Sequence, residues 1–349
     1  MLRRQKAGVL LAGFLGACGG PSDLATMAGV IPGADPGTAL GSDDDPADDA
    51  RELVDPGIRL ARGYTDCLTY PSGTATCWRR APVHTRFLWD LPDIDDAVAV
   101  THAHEHGCVL RATGNLWCWG YNHHSQMGYA LPRLQGTDVP LSLGNVLLTK
   151  IATSHHAMCG IRPSGQAVCW GGNYDGPLGD PAVYESPSEV EVLGVPDAID
   201  ISASMNYSCA LRRGGQVWCW GDRTLPAPVP DVDRAIQIDV SPSQACALRD
   251  DGSVRCWTWD TRVPGVTPSR TIAGLRGIVQ ITSACGRRKS GRVQCWWDSS
   301  TAVRMADVAD ATDLATHTGS LATCATKSDT TTVCWDWGST SLRPFPPYR

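Results

Sequence analysis

The stretch Cys209-Ala210-Leu211-Arg212-Arg213-Gly214-Gly215-Gln216-Val217-Trp218-Cys219-Trp220-Gly221 is the clearest copy of a unit that occurs seven times. Six further cysteine pairs keep its ten-residue spacing: Cys67/Cys77, Cys108/Cys118, Cys159/Cys169, Cys246/Cys256, Cys285/Cys295 and Cys324/Cys334. The step from one pair to the next varies from 37 to 51 residues, so the pair is the constant unit. A tryptophan follows the second cysteine every time, at Trp78, Trp119, Trp170, Trp220, Trp257, Trp296 and Trp335.

Midway between the cysteines lies a turn: Pro71-Ser72-Gly73, Ala112-Thr113-Gly114, Pro163-Ser164-Gly165, Arg213-Gly214-Gly215, Asp250-Asp251-Gly252 and Lys289-Ser290-Gly291. Only Ser328-Asp329-Thr330 lacks the glycine. A glycine in third place suits a three-residue hairpin loop ending left-handed. Centring the loop there sets the two cysteines opposite each other across antiparallel strands, with Leu110/Leu116, Leu211/Val217 and Leu248/Val254 as the next pairs inward. Non-hydrogen-bonded partners lie about 4.5–5.5 Å apart at Cα, within reach of a disulfide. The expectation is one disulfide per hairpin. Zinc is the competing use of paired cysteines, but this spacing lacks the tight C-x2-C knuckle.

Upstream of each hairpin is an alternating apolar stretch, such as Val98/Val100, Ile199/Ile201, Ile236/Ile238 and Ile278/Ile281, which reads as a half-buried strand. Three or four short strands per unit, seven times over, predict an all-β, seven-bladed β-propeller across residues 52–349. A linear solenoid would want polar caps, and none is evident. Thirteen Trp against three Phe, 36 Gly and 24 Pro agree with short strands joined by turns. The net charge of −6, with no basic run, gives no electrostatic footprint for nucleic acid.

Arg3, Arg4 and Lys6 precede a short apolar run, Ala7 to Ala17, too short to span a bilayer as a helix. Residues 1–17 read as a signal peptide, and Leu15-Gly16-Ala17-Cys18 resembles the bacterial lipobox. That resemblance implies a lipid on Cys18 and export; Gly19 and Gly20, in place of an aspartate, point to the outer membrane. Residues 18–51 then form a flexible acidic tether around Asp43-Asp44-Asp45-Pro46-Ala47-Asp48-Asp49, which lacks the glycine and terminal glutamate of an EF-hand loop. An exported chain meets an oxidising compartment, where disulfides persist.

The pattern Cys-Ala-Leu-x-x-x-Gly-x-Val-x-Cys-Trp-Gly resembles the regulator-of-chromosome-condensation repeat, which implies a seven-bladed propeller. Units two and three also carry what looks like that family's G-x-N…L-G tail: Gly120-Tyr121-Asn122 to Gln126-Met127-Gly128, and Gly171-Gly172-Asn173 to Pro177-Leu178-Gly179. The other units lose the tail. The nuclear member's guanine-nucleotide exchange does not transfer to an exported chain, whereas secreted propellers of this type include an inhibitor of β-lactamases that binds its target through a propeller face.

Seven of nine histidines fall in units two and three: His102, His104 and His106, then His123/His124 and His155/His156. A metal is the sharp reading of them, but no Asp, Glu or Cys is placed to complete a set, so no metal is assigned. The connections between upstream strand and hairpin are expected on one face, carrying Tyr64, Asp66, His104, His106, His155, His156, Asn206, Tyr207, Gln244 and His317 as candidate contacts. The repeated tryptophans are assigned to inter-blade packing. No catalytic motif such as G-x-S-x-G or a phosphate loop is present. The function expected is a non-enzymatic binding scaffold for a protein or glycan at the cell envelope, monomeric, lipid-anchored and without cofactor. The alternatives are a hydrolase or lyase at the mouth of the central channel, or a secreted-type protein inhibitor of an enzyme.

Overall fold

A computed structural model describes residues 59–61, 65–80, 86–103, 106–130, 132, 136–205, 207–260, 265–275, 277–297, 299–305, 308–316 and 322–345. The expected signal peptide, the candidate lipidation site Cys18 and the expected acidic tether lie outside the described residues.

The described residues form seven four-stranded antiparallel sheets, each a meander in sequence order. Blade 1 is Arg59–Ala61, Thr65–Thr69, Ala75–Arg80 and Arg86–Asp90. Blade 2 is Ala97–His102, His106–Arg111, Asn115–Tyr121 and Gly136–Leu147. Blade 3 is Lys150–Thr153, Ala157–Ile161, Ala167–Gly172 and Glu185–Glu191. Blade 4 runs from Ala198–Ala203 to Ala227–Pro228. Blade 5 runs from Ala235–Val240 to Arg270–Thr271, with a side hairpin of Trp259–Asp260 and Gly265–Val266. Blade 6 runs from Ile278–Ile281 to Val303–Met305, and blade 7 from Ala311–Thr316 to Arg343–Phe345. First strands of consecutive blades touch one another, and that of blade 7 touches that of blade 1, closing the ring. The sequence left open whether a strand is exchanged at the closure. Among the described residues every sheet is built from one continuous segment, and blades 1 and 7 meet by packing Leu68 against Cys324 and Cys334.

All seven hairpins have the expected register, with the cysteines paired directly opposite and disulfide-bonded. Their Cα atoms are 3.9–4.1 Å apart, closer than expected for an unbridged pair. The glycines ending six turns have φ between 77° and 93°, and Thr330 takes the left-handed place in the seventh with φ 71°. Gly215 has a second constraint. A Cβ there would lie 2.8 Å from the Cα of Arg234, because the hairpin turn of one blade seats the start of the next.

Six of the seven disulfides pack against the tryptophan of the following blade. Cys159 and Cys169 share a buried cluster with Trp220, Cys209 and Cys219 with Trp257, Cys246 and Cys256 with Trp296, and Cys285 and Cys295 with Trp335. Cys108 and Cys118 meet Trp170, and Cys67 and Cys77 meet Trp119. The staple closes its own hairpin and presents its sulfurs as the floor of the next interface, where aromatic burial contributes most.

The G-x-N…L-G tail serves the same interface. Asn173 Oδ1 accepts from Leu178 N at 2.9 Å, bracing a loop that buries Leu178 and aims Pro177 O at Trp220 Nε1, 2.7 Å away. Asn122 does likewise for Met127, and Gln126 O receives Trp170 Nε1 at 3.0 Å. Where the preceding unit lacks the tail, the indole N–H of Trp119, Trp257, Trp296 and Trp335 has no acceptor among the described residues. Hence Trp220→Phe should cost about 1 kcal/mol more than Trp257→Phe, since only the first loses a hydrogen bond and strands a buried carbonyl. Paired urea melts of the two variants test this; equal losses would refute it.

Side chains on the inner strands tie neighbouring blades. Gln237 Oε1 accepts from Ile281 N at 2.9 Å, Ser202 Oγ from Val240 N at 3.0 Å, and Asp239 Oδ2 from Ser283 N at 2.6 Å. Burial pushes the Asp239 carboxyl up to about 7; Asp200 adds to this and the Ser283 hydrogen bonds oppose it. An acid raised in the folded state holds its proton there while the unfolded chain releases it near about pH 4. Its contribution to stability is therefore favourable at low pH and is lost as pH rises through about 7. Asp239→Asn should flatten that slope, and comparing urea midpoints of both proteins at pH 5 and pH 8 reads it directly. Parallel pH dependence in the two would sink the assignment.

The outermost strands of blades 2 and 3 are blunted against edge pairing. Val139 N donates to Thr137 Oγ1 and Ser188 N to Ser186 Oγ, beside Pro140 and Pro187, which have no N–H.

Candidate functional site

A meander of four strands puts two kinds of connection at each end of the ring. Hairpin turns and blade-to-blade links share one end. Links from first to second strand and from third to fourth strand share the other, here called the loop face. The loop face is uneven: the two tail-bearing links, 122–135 and 173–184, are long, whereas blade 4 crosses in 222–226.

These two loops gather a continuous strip of rings. Tyr121 lies 4.9 Å from His123, His124 4.2 Å from His156, and His155 4.1 Å from His156, centroid to centroid. Tyr174 stands 5.0 Å from His124 and 5.1 Å from Tyr184, and the Arg223 guanidinium caps Tyr184 at 5.6 Å. Tyr121 and Tyr184 are half exposed, at 50% and 54%. The strip spans blades 2 to 4 and is held by backbone contact between loops: Asp222 N donates to Asp175 O at 2.7 Å. Gly176 packs against the backbone of Arg223 with φ 75°, leaving no room for a Cβ. Asp222 and Arg223 themselves take left-handed φ of 45° and 58°. Burial, then the Asp222 charge, raises the Asp175 carboxyl above its ordinary range, partly offset by His155.

Beneath the strip His106 is fully buried, and neither ring nitrogen has a hydrogen-bond partner among the described residues. Burial, reinforced by His102, His156, His155 and His124, pushes its pKa down to about 3, so it is a neutral core imidazole. Among the described residues no group of three or more His, Cys, Asp or Glu side chains is arranged to hold a metal ion.

The sequence-derived contacts divide sharply. His155 and His156 lie in the strip, half-buried. His106 lies behind it. Tyr207 is 1% exposed and stacks on Trp259 at 5.4 Å. Gln244 is 2% exposed and bridges blades, donating to Ser283 O at 2.7 Å and accepting from Arg270 Nη2 at 2.6 Å. Both face the packed wall, because the residue two places before the first cysteine of its unit is drawn into the next interface. Asp66 sits opposite Trp78 in blade 1. Tyr64, His104, Asn206 and His317 lie outside the described residues. Tyr121, His124, Tyr174, Tyr184 and Arg223 complete the strip and were missed as contacts. The signal for them was the pair of long tails, which only units two and three possess.

The family model described as the regulator of chromosome condensation (RCC1) repeat matches residues 104–126 and 198–223. No curated protein matches the chain by sequence. Among solved structures, human WBSCR16 is similar at 14% identity and TM-score 0.63, over 76% of this chain and 86% of that one. Prp20p from Saccharomyces cerevisiae, described with its binding properties to Gsp1p and histones, is similar at 12% identity and TM-score 0.61, over 73% and 79%. Yeast RCC1 (Prp20) bound to Kap60 aligns at 12% identity and TM-score 0.60, over 73% and 77%. At these identities the likeness is one of fold.

Proposed function

We propose that this propeller, which carries regulator-of-chromosome-condensation repeats, is a non-enzymatic scaffold at a cell envelope that binds a protein through its loop face. The observation carrying this is the Tyr121-to-Tyr184 strip: rigid, half-exposed rings backed by a disulfide-stapled wall lose little conformational freedom on binding. Tyrosine and arginine are the side chains on which binding energy concentrates. Prp20p and yeast RCC1, similar in fold, are described as binding or bound to proteins, which supports a scaffold role.

A lipid on Cys18 would hold the scaffold. Strand Arg59–Ala61 begins at the hairpin-turn end of the ring, opposite the loop face. The test is a pull-down from envelope extract with the chain beginning at Cys18, against a Tyr121→Ala/Tyr184→Ala variant. A protein retained by the wild type and lost with the variant supports the reading. Equal retention by both, or glycan-array binding with no protein retained, would overturn it. Metabolic labelling with a fatty acid, lost in Cys18→Ala, tests the anchor separately.

A further inference from the structure

On the outer wall between blades 2 and 3, lined by none of the strip's rings, is a pocket of about 370 Å³. Its walls are the 3-10 turn Gly128–Ala130, the long outer strand Gly136–Leu147 and the outer strand Glu185–Glu191. Leu143, Val146, Pro187 and the edge of Trp170 make an apolar interior. Tyr129, 80% exposed, also lines it.

The charge around the hollow is unbalanced. Glu189, which lines it, gives Oε2 to Arg162 Nη2 at 2.8 Å, and Arg162 Nη1 is also taken by Glu191 at 2.9 Å. Two carboxylates share one guanidinium, and the second oxygen of Glu189 is buried without a hydrogen-bond donor among the described residues. A carboxylate oxygen left so is costly, and a donor brought by a ligand would relieve it. The terminal torsion of a glutamate is soft, so a turn of the carboxylate presents that oxygen to the hollow.

We infer that this pocket binds an alkyl cation, an ammonium or guanidinium on an aliphatic stem: the stem lies on Leu143, Val146 and Pro187, the charge meets Glu189, and the Tyr129 ring covers it. An aromatic face beside a carboxylate selects cations over neutral isosteres. The inference does not rest on the loop-face reading, since none of the strip's rings lines the pocket.

The test is a ¹H–¹⁵N spectrum of the whole chain titrated with n-butylamine, n-butylguanidine, N-acetyl-lysine methylamide and n-butanol, following the amides of Gly128 and Gly144. The expected result is saturable shifts with the cations and none with n-butanol. Tyr129→Ala, at an exposed position, and Glu189→Gln, which keeps the shape, should each weaken binding about tenfold with unchanged melting temperature. Binding of the blocked lysine as tightly as butylamine assigns the pocket to a side chain of a partner protein; binding of the free amines alone assigns it to a small amine. No saturable shift at the two glycines, or equal shifts with n-butanol, overturns the proposal.

Discussion

Replacing Trp220 by alanine should lower the unfolding free energy by about 3–5 kcal/mol, the range for deleting a large buried aromatic. Trp220 is fully buried between blades 3 and 4, against Cys159, Cys169, Leu178 and Val192. Its loss opens a cavity bounded by a disulfide, which cannot collapse, and by Leu178, whose loop is fixed through Asn173. It also strands Pro177 O. Both effects place the cost near the top of the range. A urea midpoint records the total, while hydrogen exchange should show the loss concentrated in blades 3 and 4, because each blade packs only on its neighbours. A loss below 1 kcal/mol, or one spread evenly round the ring, would show that this interface is not what holds the two blades.

The hairpins were legible in the sequence because their determinants are local. Ten-residue cysteine spacing, a glycine where φ must be positive and alternating apolar pairs each act within one unit, and the register of all seven followed. Inter-blade features were half legible. The fixed tryptophan announced a repeated contact, yet nothing in one unit says that it meets the previous blade's disulfide; that arises only when the sheets stack. The same limit explains the strip. His155 and His156 were visible as an adjacent pair, but their neighbours Tyr174 and Tyr184 lie along a long loop, and Tyr121 and His124 belong to another blade. Tyr207 and Gln244 share the sequence position of His106, two residues before the first cysteine of the unit, and like it are packed inward, whereas His156 and His155 stand one and two places earlier. Position in the repeat set the end of the ring; the next blade decided exposure.

Reduction of the disulfides should abolish the fold. Each bond closes a ten-residue separation, for which the chain-entropy model gives about 2–3 kcal/mol. Seven such contributions approach or exceed the roughly 5–15 kcal/mol that separates a folded domain from its unfolded chain. The hairpins are poorly equipped to survive without them. In blade 6 the paired strands are only Cys285–Arg288 and Val293–Cys295, and the pair beyond the cysteines is Arg287 with Val293; in blade 7 it is Thr326 with Thr332. The loss compounds across interfaces, since the sulfurs are also the floor on which the next tryptophan rests. Unfolding in urea followed by dilution, with and without reductant, separates the cases by circular dichroism: the oxidised chain should regain its β spectrum and the reduced chain should not. A single deletion, Cys285→Ala/Cys295→Ala, should cost more than Cys209→Ala/Cys219→Ala, whose hairpin keeps Leu211 and Val217 and longer strands. Refolding of the fully reduced chain to the native spectrum would mean that the tryptophan interfaces alone specify the ring, and that the cysteines serve only its persistence once folded.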